Sequence, residues 1–414
     1  MPADPLQVWL EGRHIADIEK RRWNDLRLRY TDEALNLWPQ NSPVISCSLP
    51  LSQRPTHAVP YLKGLLPEGQ ALQSLAAHAG VSVIDTFELL ERYGRDIAGA
   101  LIIGQQPPSP DRWGLEEYTE ETLTNEIESL DDHPLGIHDD SELSLAGLQN
   151  KLVLIRQADG RWARPVHGRP STHILKVDDR RWAGLVSAEA ACLTLANYLG
   201  LTTIRPELQM FGNLPCLIVE RFDRHVSESH VQRIHQEDLC QAIGRDPSLN
   251  LGLAKYERGG GGGPRFRDAA ELLDRYALDP NEQLERLAAV AAFTVAIGNA
   301  DAHGKNLAFL HDTPETITLA PLYDTVPTIL WPRLNRDFSM SLNGRFSVDE
   351  VVREDIVAEA ASWAISRRVA ESVTNESLEA IRTALAAGAI DNDELARELT
   401  KRVENLIADR PASA

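Results

Sequence analysis

The chain has 414 residues, 43% of them hydrophobic, and sets 42 Lys and Arg against 61 Asp and Glu for a formal net charge of −19. That length can bury a core split over two or three domains, and so acidic a surface repels DNA, so direct nucleic-acid binding is not expected. No basic segment followed by an apolar run opens MPADPLQVWL, and the apolar stretch Leu287–Ile297 is far short of a membrane span, so we expect a cytoplasmic protein with no membrane association.

In chain order, residues 1 to about 105 read as a small mixed β/α subdomain that ends at the proline-rich linker Gly104–Pro110. Residues from about 111 to 224 hold strand-like segments. Glu142–Ile155, ELSLAGLQNKLVLI, sets the small residues Ser144, Ala146 and Gly147 ahead of Lys151 and a strand, so backbone N–H groups can approach a phosphate closely. It matches neither the P-loop pattern nor the kinase glycine-rich loop, and alone it is a weak phosphate signal. Ser171–Val177, STHILKV, alternates as a strand does and has Lys176 as its only cation. A lysine on an inner strand can neutralise the α- and β-phosphates of ATP. Glu189 follows 13 residues on, in the helical stretch Val186–Leu199, where it can pair with that lysine. As isolated residues the two read equally well as surface charges. Leu214–Arg224, LPCLIVERFDR, is an apolar strand that breaks into charges, the pattern either of an ordinary edge strand or of a hinge whose backbone meets an adenine edge.

After Asp223 the periodicity turns helical, with Glu237–Ile243, Ala269–Tyr276, Leu284–Ile297, Glu376–Ala387 and Asn392–Ile407 carrying apolar residues at three- and four-residue steps. Only short catalytic and metal segments are expected to interrupt it. The run Gly259–Gly263 reads as a mobile surface loop or, more sharply, as a lid over a protein substrate. Ile297–Phe309, IGNADAHGKNLAF, and Leu319–Thr325, LAPLYDT, place Asp301, Asn306 and Asp324 as a phosphoryl-transfer enzyme places its base and metal ligands, with Asn306 five residues after Asp301. Crowded phosphates need a hard cation on oxygen ligands and one carboxylate to orient the attacking hydroxyl, which three oxygen-bearing side chains can supply. Taken alone, D-x-x-x-x-N is also a common accident, in which Asp301 merely caps a turn. His303 has no second histidine at metal-ligand spacing and reads as structural, fixing the loop by a hydrogen bond, while Lys305 either meets the γ-phosphate or faces solvent. The scattered Cys47, Cys192, Cys216 and Cys240 suggest neither a zinc site nor a disulfide framework.

SLAGLQNK, THILK, VERFDR, HQEDLCQAIG, NADAHGKN and LAPLYDT occur in an order and at a spacing that resemble the HipA family, the serine/threonine kinase toxins of bacterial toxin–antitoxin modules. Val8–Ile18, Gly64–Gly69 and Tyr93–Ala100 are similar to that family's N-terminal subdomain, so the resemblance covers most of the chain. It implies an α+β, two-lobed protein-kinase-like fold: an N-terminal subdomain over 1–105, a nucleotide-facing lobe over 111–224 and a mostly α-helical catalytic C-lobe over 225–414. It implies Asp301 as catalytic base, Asn306 and Asp324 as Mg²⁺ ligands, and an ATP site made of the loop Ala146, Gly147, Leu148, Gln149, Asn150 and Lys151 with Lys176, the hinge Glu220, Arg221 and Phe222, and His303, Lys305, Tyr323 and Asp324. Glu189 is the expected ion-pair partner of Lys176, and Ser144 the expected autophosphorylation site. The implied function is ATP- and Mg²⁺-dependent phosphorylation of a bacterial protein such as a translation factor or aminoacyl-tRNA synthetase, restrained by a HipB-like helix-turn-helix antitoxin. Two readings compete with it: an ATP-binding co-repressor without activity, and a small-molecule kinase, against which the N-terminal motifs speak. Two departures stand out, a neutral Asn150 where the family prototype has an acidic residue, and five glycines where it has a pair.

Overall fold

The computed structural model describes residues 4–22, 24–130, 138, 142–145, 150–178, 182–227, 230–260 and 262–414. The chain divides into two compact units, one of Met1–Asp179, Leu208–Gly252 and Leu310–Thr316, the other of Arg180–Glu207, Leu253–Phe309 and Ile317–Ala414.

The first unit contains two antiparallel sheets. In the first, β1 (Leu6–Leu10), β2 (Arg13–Lys20), β3 (Leu26–Tyr30), β4 (Thr56–His57) and β5 (Ile102–Gly104) are ordered β4-β3-β2-β1-β5. The sequence LQVWL of β1 buries Leu6, Val8 and Leu10 and leaves Gln7 and Trp9 half-buried, the period-two pattern of a strand with one core face. Those side chains join Leu28, Tyr61, Phe87, Leu89 and Tyr93 in one apolar cluster. In the second sheet, β6 (Gly114–Glu117), β7 (Lys151–Arg156), β8 (Trp162–Val166), β9 (His173–Val177), β10 (Glu207–Phe211) and β11 (Leu214–Glu220) are ordered β10-β11-β9-β7-β8-β6. Leu152, Leu154, Leu175, Val177, Cys216 and Ile218 alternate onto one face and pack with Leu123 and Ile127 of the helix Glu120–Glu128. Alternation sends Lys151, Val153, Ile174 and Lys176 to the opposite face.

The second unit is built around the helix Pro280–Ile297. Asp279 caps its first turn by accepting from Glu282 N, Pro280 stands where a missing N–H costs nothing, and Gly298 ends it at φ 65°. From Val290 onward the helix is buried all round, as a central helix must be. The helices Phe266–Tyr276, Arg353–Ala361, Arg367–Ala386 and Asp393–Ile407 pack against it. Arg402, only 2% exposed, donates through Nη2 to Val295 O in the last turn of the central helix at 2.9 Å and to Val348 O at 3.1 Å.

The fold is α+β, with one correction to the expected helical stretch after Asp223. Short strands interrupt it: Arg224–Val226 pairs with Val231–Arg233, Asp337–Leu342 pairs with Arg345–Ser347, and Ala308–Thr313 and Thr316–Leu319 lie in a further sheet. Four of these six strands have three or four residues, too short for a period of two to register in the sequence, and the six-residue Ala308–Thr313 and Asp337–Leu342 do not alternate in burial. Glu237 likewise falls in the strand Gln236–Asp238 rather than in a helix, which here starts at Leu239. Among the described residues no helix is long and apolar enough to cross a membrane.

Candidate active site

In the second unit the chain leaving the central helix turns at Gly298, and its next residues are held almost entirely by polar contacts. Thr328 Oγ1 accepts from Ala300 N at 2.8 Å and donates to Gly298 O at 3.0 Å. Asn299, 4% exposed, accepts from Asp301 N through Oδ1 at 3.0 Å and donates through Nδ2 to Asp324 O at 3.3 Å. One buried amide therefore ties the Asp301 segment to the Asp324 segment, 23 residues apart in sequence. Asp324 itself sits at φ 50°, in the left-handed region that aspartate tolerates better than most residues. Such strain persists only where the surroundings impose it, and it gathers at functional sites.

The loop closes tightly on itself. His303 N donates to Asp301 O at 2.8 Å, Asn306 N donates to His303 O at 2.8 Å, and Asn306 Nδ2 donates to Asp301 O at 3.0 Å. With its amide nitrogen turned inward, Asn306 has its amide oxygen left to present as a ligand. Tyr323 donates its hydroxyl to Lys305 O at 2.6 Å, linking the two motifs a second time. Lys305 is 6% exposed, so of the two readings of its sequence the solvent-facing one does not hold. His303 is 7% exposed and meets the Tyr256 ring edge-on at 5.4 Å, and Tyr256 in turn donates its hydroxyl to Asp301 Oδ1 at 3.1 Å. Asp301, His303, Lys305, Asn306, Tyr323 and Asp324 are thus gathered in one unit.

The remaining candidates lie elsewhere. Lys151 and Lys176 are opposite each other across the β7–β9 pair and are 8% and 7% exposed. Directly paired residues of antiparallel strands share a face, so the two lysine side chains leave the sheet on the same side. Asn150 accepts from Val177 N through its carbonyl at 3.3 Å. Ala146, Gly147, Leu148 and Gln149 lie outside the described residues. Glu189 is buried in the helix Leu185–Tyr198 of the second unit, whereas Lys176 belongs to the first. Ser144 is fully buried: its hydroxyl donates to Leu65 O at 3.0 Å and its N–H to Asp96 O at 3.0 Å, so in this conformation it is closed to chemistry.

At the hinge segment the Glu220 side chain is 79% exposed, while Arg221 turns inward with its N–H donating to Thr172 O at 2.9 Å. The Arg221 guanidinium donates to Asp223 at 2.8 and 2.9 Å, to Ser171 Oγ at 2.8 Å and to Ile97 O at 3.0 Å. Arg224 joins by donating to Asp96 Oδ1 at 3.0 Å and to Gly99 O at 2.9 Å. Burial opposes charge on Asp223 and Asp96, but the Arg221 and Arg224 guanidiniums outweigh it and hold both carboxyls below the usual carboxylate range. Sequence reasoning did not find this network, nor Asn299, nor Tyr256. A glycine run beside Tyr256 was the available signal, since glycines cluster where backbone must pack closely.

Residues 143–385 match the model of a HipA-like C-terminal domain, and residues 6–104 match that of a HipA N-terminal domain. The chain is 36% identical over 84% of its length to a Sinorhizobium fredii protein named "Putative kinase Y4mE", spanning 82% of that protein. It is 30% identical over 78% of its length to the serine/threonine-protein kinase toxin HipA of Shewanella oneidensis, spanning 75% of it. Its structure superposes with a TM-score of 0.80, at 27% identity and over 98% of this chain and 96% of the other, on a chain from the Shewanella oneidensis HipA, HipB and operator DNA complex. With two domain models in register, kinase relatives aligned over most of its length and a kinase-like α+β fold, the chain belongs to the HipA family of kinases.

Proposed function

We propose that the chain is an ATP- and Mg²⁺-dependent serine/threonine protein kinase and the toxin of a HipA-type toxin–antitoxin module. The observation that carries this reading is that the buried amide of Asn299 ties Asp301 to Asp324, while Asn306 donates to Asp301 O. On this reading Asp301 takes the proton of the acceptor hydroxyl as its oxygen attacks the γ-phosphorus and ADP leaves. The amide oxygen of Asn306 and the carboxylate of Asp324 are hard donors that suit Mg²⁺, which when bound supplies positive charge against the crowded phosphates. Lys151 and Lys176 neutralise phosphate oxygens, Glu189 pairs with Lys176, and the backbone at Glu220 and Phe222 meets adenine, with Arg221 bracing the hinge from inside. His303, Lys305 and Tyr323 shape the nucleotide end of the loop. The division at 1–105, 111–224 and 225–414 assigns these tasks to an N-terminal subdomain, a nucleotide lobe and a catalytic lobe.

Ser144 is the self-modification site of this account. Its burial means that phosphorylation requires the segment to leave its place against Leu65 and Asp96, and the added charge of about −1.5 to −2 then keeps it out. A HipB-like antitoxin is the partner, suggested by the HipB in the superposed complex, and the acidic surface favours a basic one. The substrate class is a bacterial translation protein, with an aminoacyl-tRNA synthetase as first candidate. Incubation with labelled ATP and Mg²⁺, followed by mass spectrometry of the chain and of a bacterial lysate, tests this. Label on Ser144 that disappears in Asp301→Ala supports it, and a chain that binds ATP yet labels neither itself nor any lysate protein refutes it.

A further inference from the structure

We propose that Tyr256 is a positioning residue for phosphoryl transfer, and that Gly259 and Gly263 seat it. The proposal rests on the kinase reading and goes beyond it, because Tyr256 belongs to none of the motifs that carry that reading. Its hydroxyl lies 3.1 Å from Asp301 Oδ1 and donates to it. A hydrogen bond to one carboxylate oxygen restrains rotation about the last bond, so this contact holds Oδ1 and helps set the plane in which the base meets the acceptor hydroxyl.

The tyrosine is itself firmly placed. Its neighbour Glu257 donates through N to Ser339 O at 2.9 Å and accepts at its carboxylate from Ser341 N at 2.6 Å and Ser341 Oγ at 3.1 Å. Ser339 in turn donates through N at 2.9 Å and Oγ at 2.7 Å to Ala300 O, one residue before Asp301. The base and the phenol are therefore braced by the same strand, Asp337–Leu342. The edge contact of the ring with His303 and the Lys255 ammonium 5.7 Å from its centroid limit its swing.

The glycines close the seat from the other side. Gly259 N donates to Tyr256 O at 2.9 Å. A Cβ at Gly259 would come within 1.7 Å of Leu253 O, and one at Gly263 within 2.0 Å of Tyr256 O, so neither position admits a side chain without moving the backbone that carries the tyrosine. Gly260 and Gly262 lie at φ 85° and 75°, which glycine adopts without strain. Gly259 and Gly263 are needed where they approach the backbone of Leu253 and Tyr256, and this is a reason for glycine that a mobile lid does not require.

The test uses the full chain with ATP and Mg²⁺ and compares native protein, Tyr256→Phe, Asp301→Asn and the double variant. Loss of one hydrogen bond to a charged group predicts that Tyr256→Phe lowers kcat about ten-fold, with KM for ATP and melting temperature unchanged. In the Asp301→Asn background the same change is expected to have no further effect, because it acts only through the carboxylate. Gly259→Ala is expected to reproduce the loss of kcat. If Tyr256→Phe transfers phosphate at the native rate, or faster because the phenol had been blocking the base, the proposal is overturned while the kinase reading stands. If the native chain labels neither itself nor a lysate, the kinase reading fails and the proposal fails with it.

Discussion

Replacing Asp223 with Asn removes one charge from a fully enclosed cluster and changes almost nothing in volume. In the native protein the two Asp223 oxygens accept from Arg221 Nε at 2.9 Å, Arg221 Nη2 at 2.8 Å and Gly99 N at 2.7 Å, and face Arg224 Nη1 at 3.0 Å. Arg221 and Arg224 are 4% and 6% exposed, so neither guanidinium can recover its lost partner from water. Breaking a buried pair by removing one member costs about 3–5 kcal/mol. With a melting shift of roughly 2–4 °C per kcal/mol for a unit of a few hundred residues, the midpoint should fall by roughly 6–20 °C. Calorimetry at neutral pH reads this directly, and the transition of the first unit is the one that should move. A shift below about 2 °C would show that the cluster is hydrated or that its charges are dispensable, and the account of the hinge segment as a rigid brace would be wrong.

Other outcomes follow from the same geometry. Burial, followed by the neighbouring His311, holds His235 down to about 3, so it is neutral in the folded chain and protonates from about 6.5 downward once unfolded. Stability is therefore expected to fall with pH between about 6.5 and about 3, at up to about 1.4 kcal/mol per pH unit, and His235→Gln should flatten the upper part of that slope in urea titrations at pH 7 and pH 5. Asp96 and Asp223, held low by their arginines, add a further loss only below the ordinary carboxylate range near 4, as these groups protonate more readily in the unfolded chain. Gly298→Ala puts a Cβ 2.6 Å from Ile329 Cγ2 at φ 65° and should cost about 2 kcal/mol or more in thermal unfolding, with loss of activity because Asn299 follows directly. Lys176→Met should weaken ATP binding roughly ten- to a hundred-fold by calorimetry, since it removes the charge and keeps the buried stem.

The features that sequence reading located are those in which the relevant residues are contiguous or regularly spaced. Asp301, His303, Lys305 and Asn306 lie within six positions, and the alternation of STHILKV marks a strand with Lys176 on it. What escaped it depends on contacts between distant segments. Tyr256 reaches Asp301 across 45 positions, and Asp96 reaches Arg224 across 128, and neither pairing leaves a periodic trace. Arg221 stood in an apparent hinge, and only the fold reveals that its side chain points inward while the neighbouring Glu220 points out. The strands after Asp223 were hidden for a different reason, because three or four residues cannot display a period and the two six-residue strands do not alternate in burial. Ser144, expected from the resemblance as the autophosphorylation site, is buried through a contact with Leu65, 79 positions earlier, which no local pattern displays.

The central claim, that the loop around Asn299 assembles a phosphoryl-transfer site, is tested most directly by measuring γ-phosphate transfer from ATP with and without Mg²⁺ for the native chain, Asp301→Asn and Asp324→Asn. The account predicts Mg²⁺-dependent transfer by the native chain and a loss on the order of a hundred-fold or more in each variant, with circular dichroism unchanged. Transfer at the native rate by either variant, or none by the native chain, would contradict it.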